Sequence, residues 1–122
     1  RIFTSAIVFT RLEDVTLLRA EALAVLGERS GAIDNLNAIR TRRGLDAYNE
    51  EVNGDLLNAI FLERQRELMG EGHRWYDLVR YNRIRPNHAT ISQLIARNGI
   101  YWPVAQTLLD QNKQLTQNEY WQ

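Results

Sequence analysis

Cysteine is absent from this chain of 122 residues, which excludes disulfide bonds, thiol nucleophiles and cysteine metal sites. Lysine is nearly absent as well: Lys113 is the single lysine among 15 basic residues, and the other fourteen are arginines. Planar guanidinium groups suit bidentate pairing with carboxylates better than ammonium groups do. The composition therefore favours arginine-carboxylate pairs, with a solvated basic surface as the alternative.

Net charge and long apolar runs are also missing. The 15 basic residues balance 15 acidic ones, so no global electrostatic attraction to nucleic acid or to an anionic membrane is expected. There is no apolar run of about twenty residues and no charged start followed by an apolar stretch, so we expect neither a membrane span nor a signal peptide. A lipid anchor would have to lie upstream. With 44% hydrophobic residues, the default is one globular unit.

Residues 12–44 have the period of two helices, after a β-branched and aromatic segment, 1–10, that we expect to be extended. The first helix has an apolar stripe at helical spacing: Val15, Leu18, Ala22, Val25 and Leu26. Gly27 can end this helix in the left-handed conformation. Ser30 is a candidate N-cap of the second helix, which closes at Gly44.

Two helices joined by a short glycine-containing turn predict an antiparallel hairpin over 12–44. Small and large residues also recur at the spacing of a tetratricopeptide repeat: Ala20, Leu23, Gly27, Ala32, Leu36 and Ile39. Because such units need about three neighbours for stability, we expect this single hairpin to pack on a third helix or on repeats outside the chain.

The remainder predicts an all-α fold. A polar loop over 46–54 leads to two helices within 53–81. The first is capped by Asn53 or Asp55 and runs to about Gly70, and the second is short and begins at His73 or Arg74. The stretch 82–122 is predicted as an irregular tail with a short helix over 90–97 and a helical turn over 105–109. Three apolar residues of this tail are expected to pin it: Leu115, Tyr120 and Trp121.

Charged residues on buried helix faces need partners. Arg64 shares the apolar face of the third helix with Ile60 and Leu68, and an unpaired buried guanidinium would cost several kcal/mol. We therefore expect a carboxylate to meet it, either an acid of another helix or one of the nearby Glu63, Glu67, Glu71 and Asp77. Glu21 is expected to pair with Arg43 or Arg64, the alternative being an exposed glutamate without a partner.

A metal or acid-base site is one hypothesis for the region around Gly70 and Gly72. Its candidate groups are Glu67, Glu71, His73 and Asp77, of which the last two lie one helical turn apart. Nearby arginines compete with a cation for every carboxylate: Arg64, Arg66 and Arg74. Structural ion pairs are therefore the preferred interpretation, with no metal, no cofactor and no catalytic residue assigned.

Aromatic residues offer a second hypothesis. Trp75, Tyr76 and Tyr81 could form a platform that stacks sugar rings. Helical spacing instead favours Trp75, Leu78 and Val79 packing inward. Trp102 and Trp121 lie in irregular segments, where either anchoring or recognition is open.

Three motifs in order resemble the SusD/RagB family. The central one contains Ile60, Glu63-Arg64, Glu67-Leu68, Glu71-Gly72-His73-Arg74-Trp75-Tyr76-Asp77-Leu78 and Arg80. Before it come Leu17-Leu18-Arg19-Ala20-Glu21-Ala22, Leu36-Asn37, Ile39-Arg40 and Arg42, and after it Trp102-Pro103-Val104, Asn112, Leu115 and Gln117-Asn118. Separate motifs in the correct order are far more specific than one short pattern.

The resemblance implies that residues 1–122 are a C-terminal segment of a longer, non-catalytic nutrient-binding lipoprotein. It would sit on the surface of the bacterial outer membrane through an N-terminal lipid anchor outside this chain. There it would bind glycans or other nutrients and deliver them to a TonB-dependent, SusC-like transporter. Sugar contacts in the family come mainly from loops outside this segment, so its ligand-binding residues stay unknown and its role is mainly scaffold.

Two other classes remain open on the residues alone. One is a helical-repeat adaptor that binds a peptide between hairpins, and further repeats upstream without a lipidated cysteine would favour it. The other is a metal-dependent hydrolase using His73 and Asp77, which metal analysis of the purified protein would test.

Overall fold

The computed structural model describes residues 10–122. The segment 1–10 was expected to be extended, and all of it except residue 10 lies outside the described residues. The described residues form seven α-helices and one 3-10 helix, with no strand among them. The helices are α1 (Leu12–Val25), α2 (Arg29–Arg42), α3 (Glu50–Asn53), α4 (Leu56–Glu67), α5 (Arg74–Ile84), α6 (Ala89–Ala96) and α7 (Gln106–Gln111), and the 3-10 helix is Glu119–Trp121. The predicted all-α class is confirmed.

The chain divides into two compact units, which we call unit 1, ending at Arg74, and unit 2, Trp75–Gln122. No helix of the described residues has both the length and the apolar character that crossing a bilayer requires. Most of α5 belongs to unit 2, whereas α1 to α4 belong to unit 1.

The predicted hairpin is formed by α1 and α2, and both helices also pack on α4. Gly27 ends α1 with φ +82°, and the amides of Gly27 and Glu28 donate to the carbonyls of Ala24 and Leu23, which is a Schellman motif. Small and large residues then fill the core of unit 1: Leu17, Ala20, Ala32, Leu36, Ile39, Leu56, Ala59 and Ile60. The tetratricopeptide-like spacing therefore identified core positions of both helices.

The apolar stripe predicted for α1 lies on the wrong side of the helix. Val15, Leu18 and Val25 are exposed, and so are Ala22 and Leu26. The buried residues of α1 are instead Asp14, Leu17, Ala20 and Glu21. The small side chain of Ala20 allows α2 to approach closely on this face. A buried acid is tolerated there when an arginine pairs with it, as Arg64 pairs with Asp14.

Two local predictions are corrected and one is confirmed. Ser30 is not an N-cap, because Glu28 completes the Schellman motif and α2 starts directly at Arg29. The polar loop 46–54 contains one helical turn, α3, capped by the side chain of Asn49. Asp55 caps α4 as predicted, with its carboxylate accepting from the amide of Asn58 at 3.0 Å.

In unit 2, α6 confirms the short helix predicted over 90–97 and α7 confirms the helical turn predicted over 105–109, while the 3-10 helix near the end of the tail was not predicted. Asn82, 2% exposed, organises the turn after α5. Its Oδ1 accepts hydrogen bonds from the amides of Asn87 and His88 and from the hydroxyl of Ser92. One buried amide oxygen thus connects the end of α5 to the start of α6.

The C-terminal residues are held to unit 2 by side-chain hydrogen bonds. Gln117 Oε1 accepts a hydrogen bond from the amide of Val104 at 2.8 Å, and Gln117 Nε2 donates to the carbonyl of Val104 at 3.0 Å. Trp121 Nε1 donates to the carbonyl of Tyr101 at 2.7 Å. Gly99 is buried beside the ring of Tyr120, where a Cβ would lie only 2.9 Å from ring atoms. The expected pinning is confirmed for Tyr120 and Trp121, whereas Leu115 is 44% exposed.

The burial of α1 is testable with two leucine truncations in the same helix. Leu17→Ala should lower the free energy of unfolding by about 2–5 kcal/mol, because Leu17 is fully buried in the core. Leu12→Ala, at a position that is 68% exposed, should change it by less than about 0.5 kcal/mol. Urea unfolding measures both, and equal losses would contradict the described orientation of α1.

Candidate functional site

Charged side chains meet at one end of unit 1, and we call nine of them the ion-pair network. The network consists of Arg11, Glu13, Asp14, Arg40, Arg43, Glu63, Arg64, Glu67 and Glu71. An antiparallel hairpin places the start of α1 beside the end of α2, and α4 packs on both. Acids at the start of α1 and arginines at the end of α2 also suit the two helix dipoles.

Arg64 is the most deeply buried member, with 1% of its surface exposed. Its Nη2 lies 2.9 Å from Oδ1 of Asp14, and its Nη1 donates to the backbone carbonyl of Asp14 at 3.0 Å. The predicted carboxylate partner is therefore an acid of another helix, α1. Through this pair, α4 is joined to both the side chain and the backbone of α1.

A second buried pair joins α2 to α4. Arg40 Nη1 donates to Oε2 of Glu63 at 2.9 Å, and both side chains are buried. Arg40 Nε also donates to the carbonyl of Asp46 at 2.9 Å, which holds the chain just after the hairpin. Arg64 and Arg40 thus bring α1, α2 and the following connection onto α4 by directional, charge-assisted hydrogen bonds.

Glu67, at the edge of the network, accepts hydrogen bonds from two arginines. Arg43 donates to both carboxylate oxygens, at 2.9 and 2.6 Å, and Arg11 donates to Oε1 at 3.3 Å. The hydrogen bond from Arg43 lowers the pKa of Glu67, while partial burial acts in the opposite direction. The same hydrogen bond raises the pKa of Arg43. Arg11 also pairs with Glu71, with Nη2 to Oε1 at 2.8 Å.

The hypothesis for Glu21 is settled only in part. Glu21 is 5% exposed and is not an isolated charge, so the alternative of an exposed glutamate without a partner is wrong. Arg43, one of its two suggested partners, bonds to Glu67 and lies 3.5 Å from Glu13. Pairing of Glu21 with Arg43 or Arg64 stays a prediction.

The suggested metal or acid-base groups have other contacts. Glu67 and Glu71 bond to arginines, and Asp77 in unit 2 accepts from Arg80 Nη2 at 2.8 Å. His73 is half-buried. Within residues 10–122, no three histidine, aspartate or glutamate side chains form a group that could hold a metal ion.

Unit 2 presents a different kind of surface, which we call the aromatic groove. Two open cavities of about 420 and 450 Å³ share the same four lining residues, Trp75, Ile100, Tyr101 and Trp102. Tyr76 belongs to the groove, whereas Tyr81 is buried and does not. Trp75 is half-buried and lines both cavities, and Leu78 and Val79 are half-buried too, so their inward packing stays a prediction.

Tyr101 is an aromatic residue of the groove that the sequence interpretation missed, and Arg80 and Arg83 are missed polar ones. Tyr101 lies in a bend directly after the Asn98-Gly99 turn, and Trp102 follows it in a segment that was predicted to be extended. Adjacent aromatic residues in an extended segment, before a proline that excludes helix, were the available signal. Trp121, one of the two tryptophans left open between anchoring and recognition, anchors the tail through its Nε1, and its ring lines the cavity of about 420 Å³.

Breaking a buried pair of the network should be costly. Glu63→Leu should lower the free energy of unfolding by about 3–5 kcal/mol, because it leaves the buried guanidinium of Arg40 without its carboxylate. The double variant Arg40→Met with Glu63→Leu should recover part of the loss, but not all of it, because Arg40 also bonds to Asp46.

The matched control is the exposed pair Arg29 with Glu50, whose side chains are 51% and 63% exposed. Glu50→Leu should change stability by less than about 1 kcal/mol, since solvent screens this pair. Chemical unfolding of the three variants and of the unaltered chain measures these differences. A loss at Glu50 as large as that at Glu63 would contradict the distinction between buried and exposed pairs.

Stability should also depend on the ionisation of Glu67. Its pKa in the folded chain lies below the usual value of 4.5, so its contribution is complete above that pH and is lost as the pH falls through the lowered folded pKa. Melting curves between pH 7 and pH 3 should therefore fall less steeply on the acid side for Glu67→Gln than for the unaltered chain. Parallel curves would show that Glu67 does not contribute in this way.

Comparisons with known proteins agree with this architecture. A family model described as the SusD family matches residues 3–91. SusD-like protein P38 of Formosa agariphila is 37% identical over 121 residues, covering 92% of this chain and 24% of that protein. SusD-like protein P25 of the same organism is 39% identical over 75 residues, covering 58% of this chain and 14% of that protein.

A solved structure gives the same result. The crystal structure of a SusD superfamily protein from Bacteroides thetaiotaomicron superposes with a TM-score of 0.86 at 49% identity, covering 95% of this chain and 26% of that one. The chain thus spans about a quarter of the length of SusD-like protein P38 and of this solved structure. By sequence along most of its length and by fold, the chain belongs to the SusD family.

Proposed function

We propose that this chain is the C-terminal scaffold of a longer, non-catalytic protein that binds glycans or other nutrients at the bacterial outer membrane. The longer protein would be a surface lipoprotein, anchored through a lipid upstream of this segment, and would deliver its ligand to a TonB-dependent, SusC-like transporter. Membership of the SusD family supports the role in nutrient or glycan binding. The family also favours this function over a peptide-binding adaptor.

The observation that carries the scaffold role is the neutralisation of the charged motif inside unit 1. Arg64 and Glu63 each pair with a residue of another helix, and Glu67 pairs with Arg43, directly after α2. Carboxylates that already accept hydrogen bonds from guanidinium groups are poor general bases and poor ligands for a cation. Their geometry fits the joining of helices better than it fits turnover.

The exposed face of α1 supports the same role. It carries Leu12, Val15 and Leu26, which are 68%, 49% and 76% exposed. A tetratricopeptide-like hairpin buries such a face by stacking against a neighbouring hairpin. We assign this face to another helical repeat of the longer polypeptide.

The scaffold role predicts that stability and ligand binding separate. In the longer protein, Glu63→Leu should lower the melting temperature by several degrees, because the buried pair is broken. At a temperature well below that melting point, its affinity for a bound polysaccharide should match that of the unaltered protein. Affinity electrophoresis in gels containing starch, laminarin, pectin or alginate measures binding, with Glu50→Leu as the control variant.

Two results would contradict the proposal. A folded Glu63→Leu protein that no longer binds any polysaccharide would place the ion-pair network in the binding site. An unaltered longer protein that binds none of the polysaccharides and does not co-purify with a TonB-dependent transporter would argue against the glycan-delivery function itself.

A further inference from the structure

We propose that Asn53 is a site of spontaneous modification, at which the side-chain amide is converted to aspartate or isoaspartate, whereas the fold protects Asn98 from the same reaction. The sequence contains two Asn-Gly dipeptides, Asn53-Gly54 and Asn98-Gly99. Asparagine reacts readily before glycine, because glycine has no side chain to hinder attack by its own backbone nitrogen. The two dipeptides are alike in sequence, so their surroundings decide between them. The inference concerns the chain itself and does not depend on the proposed function.

The reaction is a deamidation and needs water as its only further reactant. The backbone nitrogen of the glycine loses its proton and attacks Cγ of the asparagine. A new N–C bond forms, the bond from Cγ to the side-chain nitrogen breaks, and ammonia leaves. Water then opens the resulting cyclic imide at either of its carbonyl groups, which gives aspartate or isoaspartate. The glycine amide must therefore be released from its hydrogen bond and reached by solvent before the reaction can begin.

At Gly54 a small local opening meets these conditions. The amide of Gly54 donates to the carbonyl of Glu50 at 2.9 Å, and Oδ1 of Asn53 accepts from the amide of Asn49 at 2.9 Å. These bonds hold α3, which is a single turn of four residues, none of them buried. An isolated turn is only marginally stable, and an exposed one opens at a low cost in free energy.

The surroundings of Gly54 give little resistance to this opening. Gly54 is exposed, and a Cβ added to it would meet no atom of the described residues within 4 Å. Val52, the apolar residue of α3, is 79% exposed and does not anchor the turn in a core. The hydroxyl of Tyr48 donates to the carbonyl of Gly54 at 2.8 Å, but this bond does not hold the reacting amide nitrogen.

At Gly99 the same dipeptide is enclosed. Gly99 is buried, and its amide donates to the carbonyl of Leu94 at 2.7 Å. A Cβ at Gly99 would lie 2.9 Å from ring atoms of Tyr120, so that ring covers the glycine. The guanidinium carbon of Arg97 lies 5.0 Å from the centroid of the same ring, in a cation-π contact. Release of the Gly99 amide therefore requires displacement of Tyr120 as well as the loss of a hydrogen bond.

Modification of Asn53 would disturb the connection into α4. The new carboxylate would lie at the C-terminal end of α3, where the helix dipole disfavours a negative charge, and one helical turn from Glu50. Isoaspartate also adds a carbon to the backbone, two residues before Asp55, the cap of α4. We therefore expect the modified chain to lose the α3 turn.

Peptide mapping by mass spectrometry of the unaltered longer protein tests the inference without any variant. The folded protein is incubated at mildly alkaline pH, and the deamidated fractions of the peptides that contain Asn53 and Asn98 are followed over time. Asn53 should deamidate at least about tenfold faster than Asn98, because local opening of an exposed turn is sufficient to release only the first glycine amide. Equal rates in the folded protein, or a faster rate at Asn98, would overturn the inference.

Incubation of the same protein in concentrated urea is the matched control. Unfolding removes the contacts that distinguish the two dipeptides, so the two rates should agree within about threefold, chiefly because Asn98 reacts faster than in the folded protein. A preference for Asn53 that is as large in urea as in the folded protein would mean that neighbouring sequence causes it, and the protection assigned to the fold would be wrong.

Hydrogen exchange of the folded longer protein measures the opening directly. The amide of Gly54 should exchange at least about tenfold faster than that of Gly99, and the amides of α3 should exchange faster still in the deamidated fraction. If Gly54 is protected as strongly as Gly99, another part of the longer polypeptide holds the turn closed, and Asn53 is not a modification site.

Discussion

The pairing of Arg64 with Asp14 is the interaction on which the rest of unit 1 depends. A guanidinium with 1% exposure would be prohibitively costly without a carboxylate, so α4 can pack on α1 only in the register that brings these two groups together. Glu63 and Arg40 impose the same condition on α4 and α2. Such buried pairs add little net stability compared with apolar residues of equal volume, but a misplaced one is heavily penalised. Their contribution is to select one arrangement of three helices.

The two units use their conspicuous residues in opposite ways. In unit 1 the charges of the network turn inward or toward each other, and Glu67 at its edge is held in the ionised form by Arg43. In unit 2 the aromatic residues turn outward, on a backbone fixed by Gln117 and Asn118. Groups that have satisfied each other are suited to holding a framework, whereas exposed rings on an ordered backbone are suited to contacting a partner. This contrast underlies the assignment of the ion-pair network of unit 1 to the scaffold.

Membership of the SusD family gives this contrast a biological setting. The chain spans about a quarter of SusD-like protein P38 and of the solved structure, so surfaces exposed here have to be considered within a longer polypeptide. Among residues 10–122, the apolar face of α1 and the aromatic groove are two such surfaces. They differ in chemistry: the first is aliphatic, as expected for helix stacking, and the second combines aromatic rings with guanidinium groups.

Local features of the fold were predictable from the amino-acid sequence because neighbouring residues determine them. Gly27 in a left-handed turn, Asp55 as a helix cap and the tetratricopeptide-like positions Ala20 and Leu36 all belong to this group. The need of Arg64 for a carboxylate was also predictable, since it follows from desolvation alone. The identity of that carboxylate was not, because many nearby acids are chemically equivalent until the helices pack.

Only the tertiary structure decided which face of α1 is buried. The apolar period of Val15, Leu18 and Ala22 is a regular helical stripe, yet a period indicates a face without showing what will cover it. The opposite face is buried because α2 and α4 supply close packing at Ala20 and an arginine for Asp14. The exposure of Trp102 has the same origin, since hydrogen bonds from residues 118 and 121 to the chain at 101 and 102 fix a backbone that local sequence leaves open.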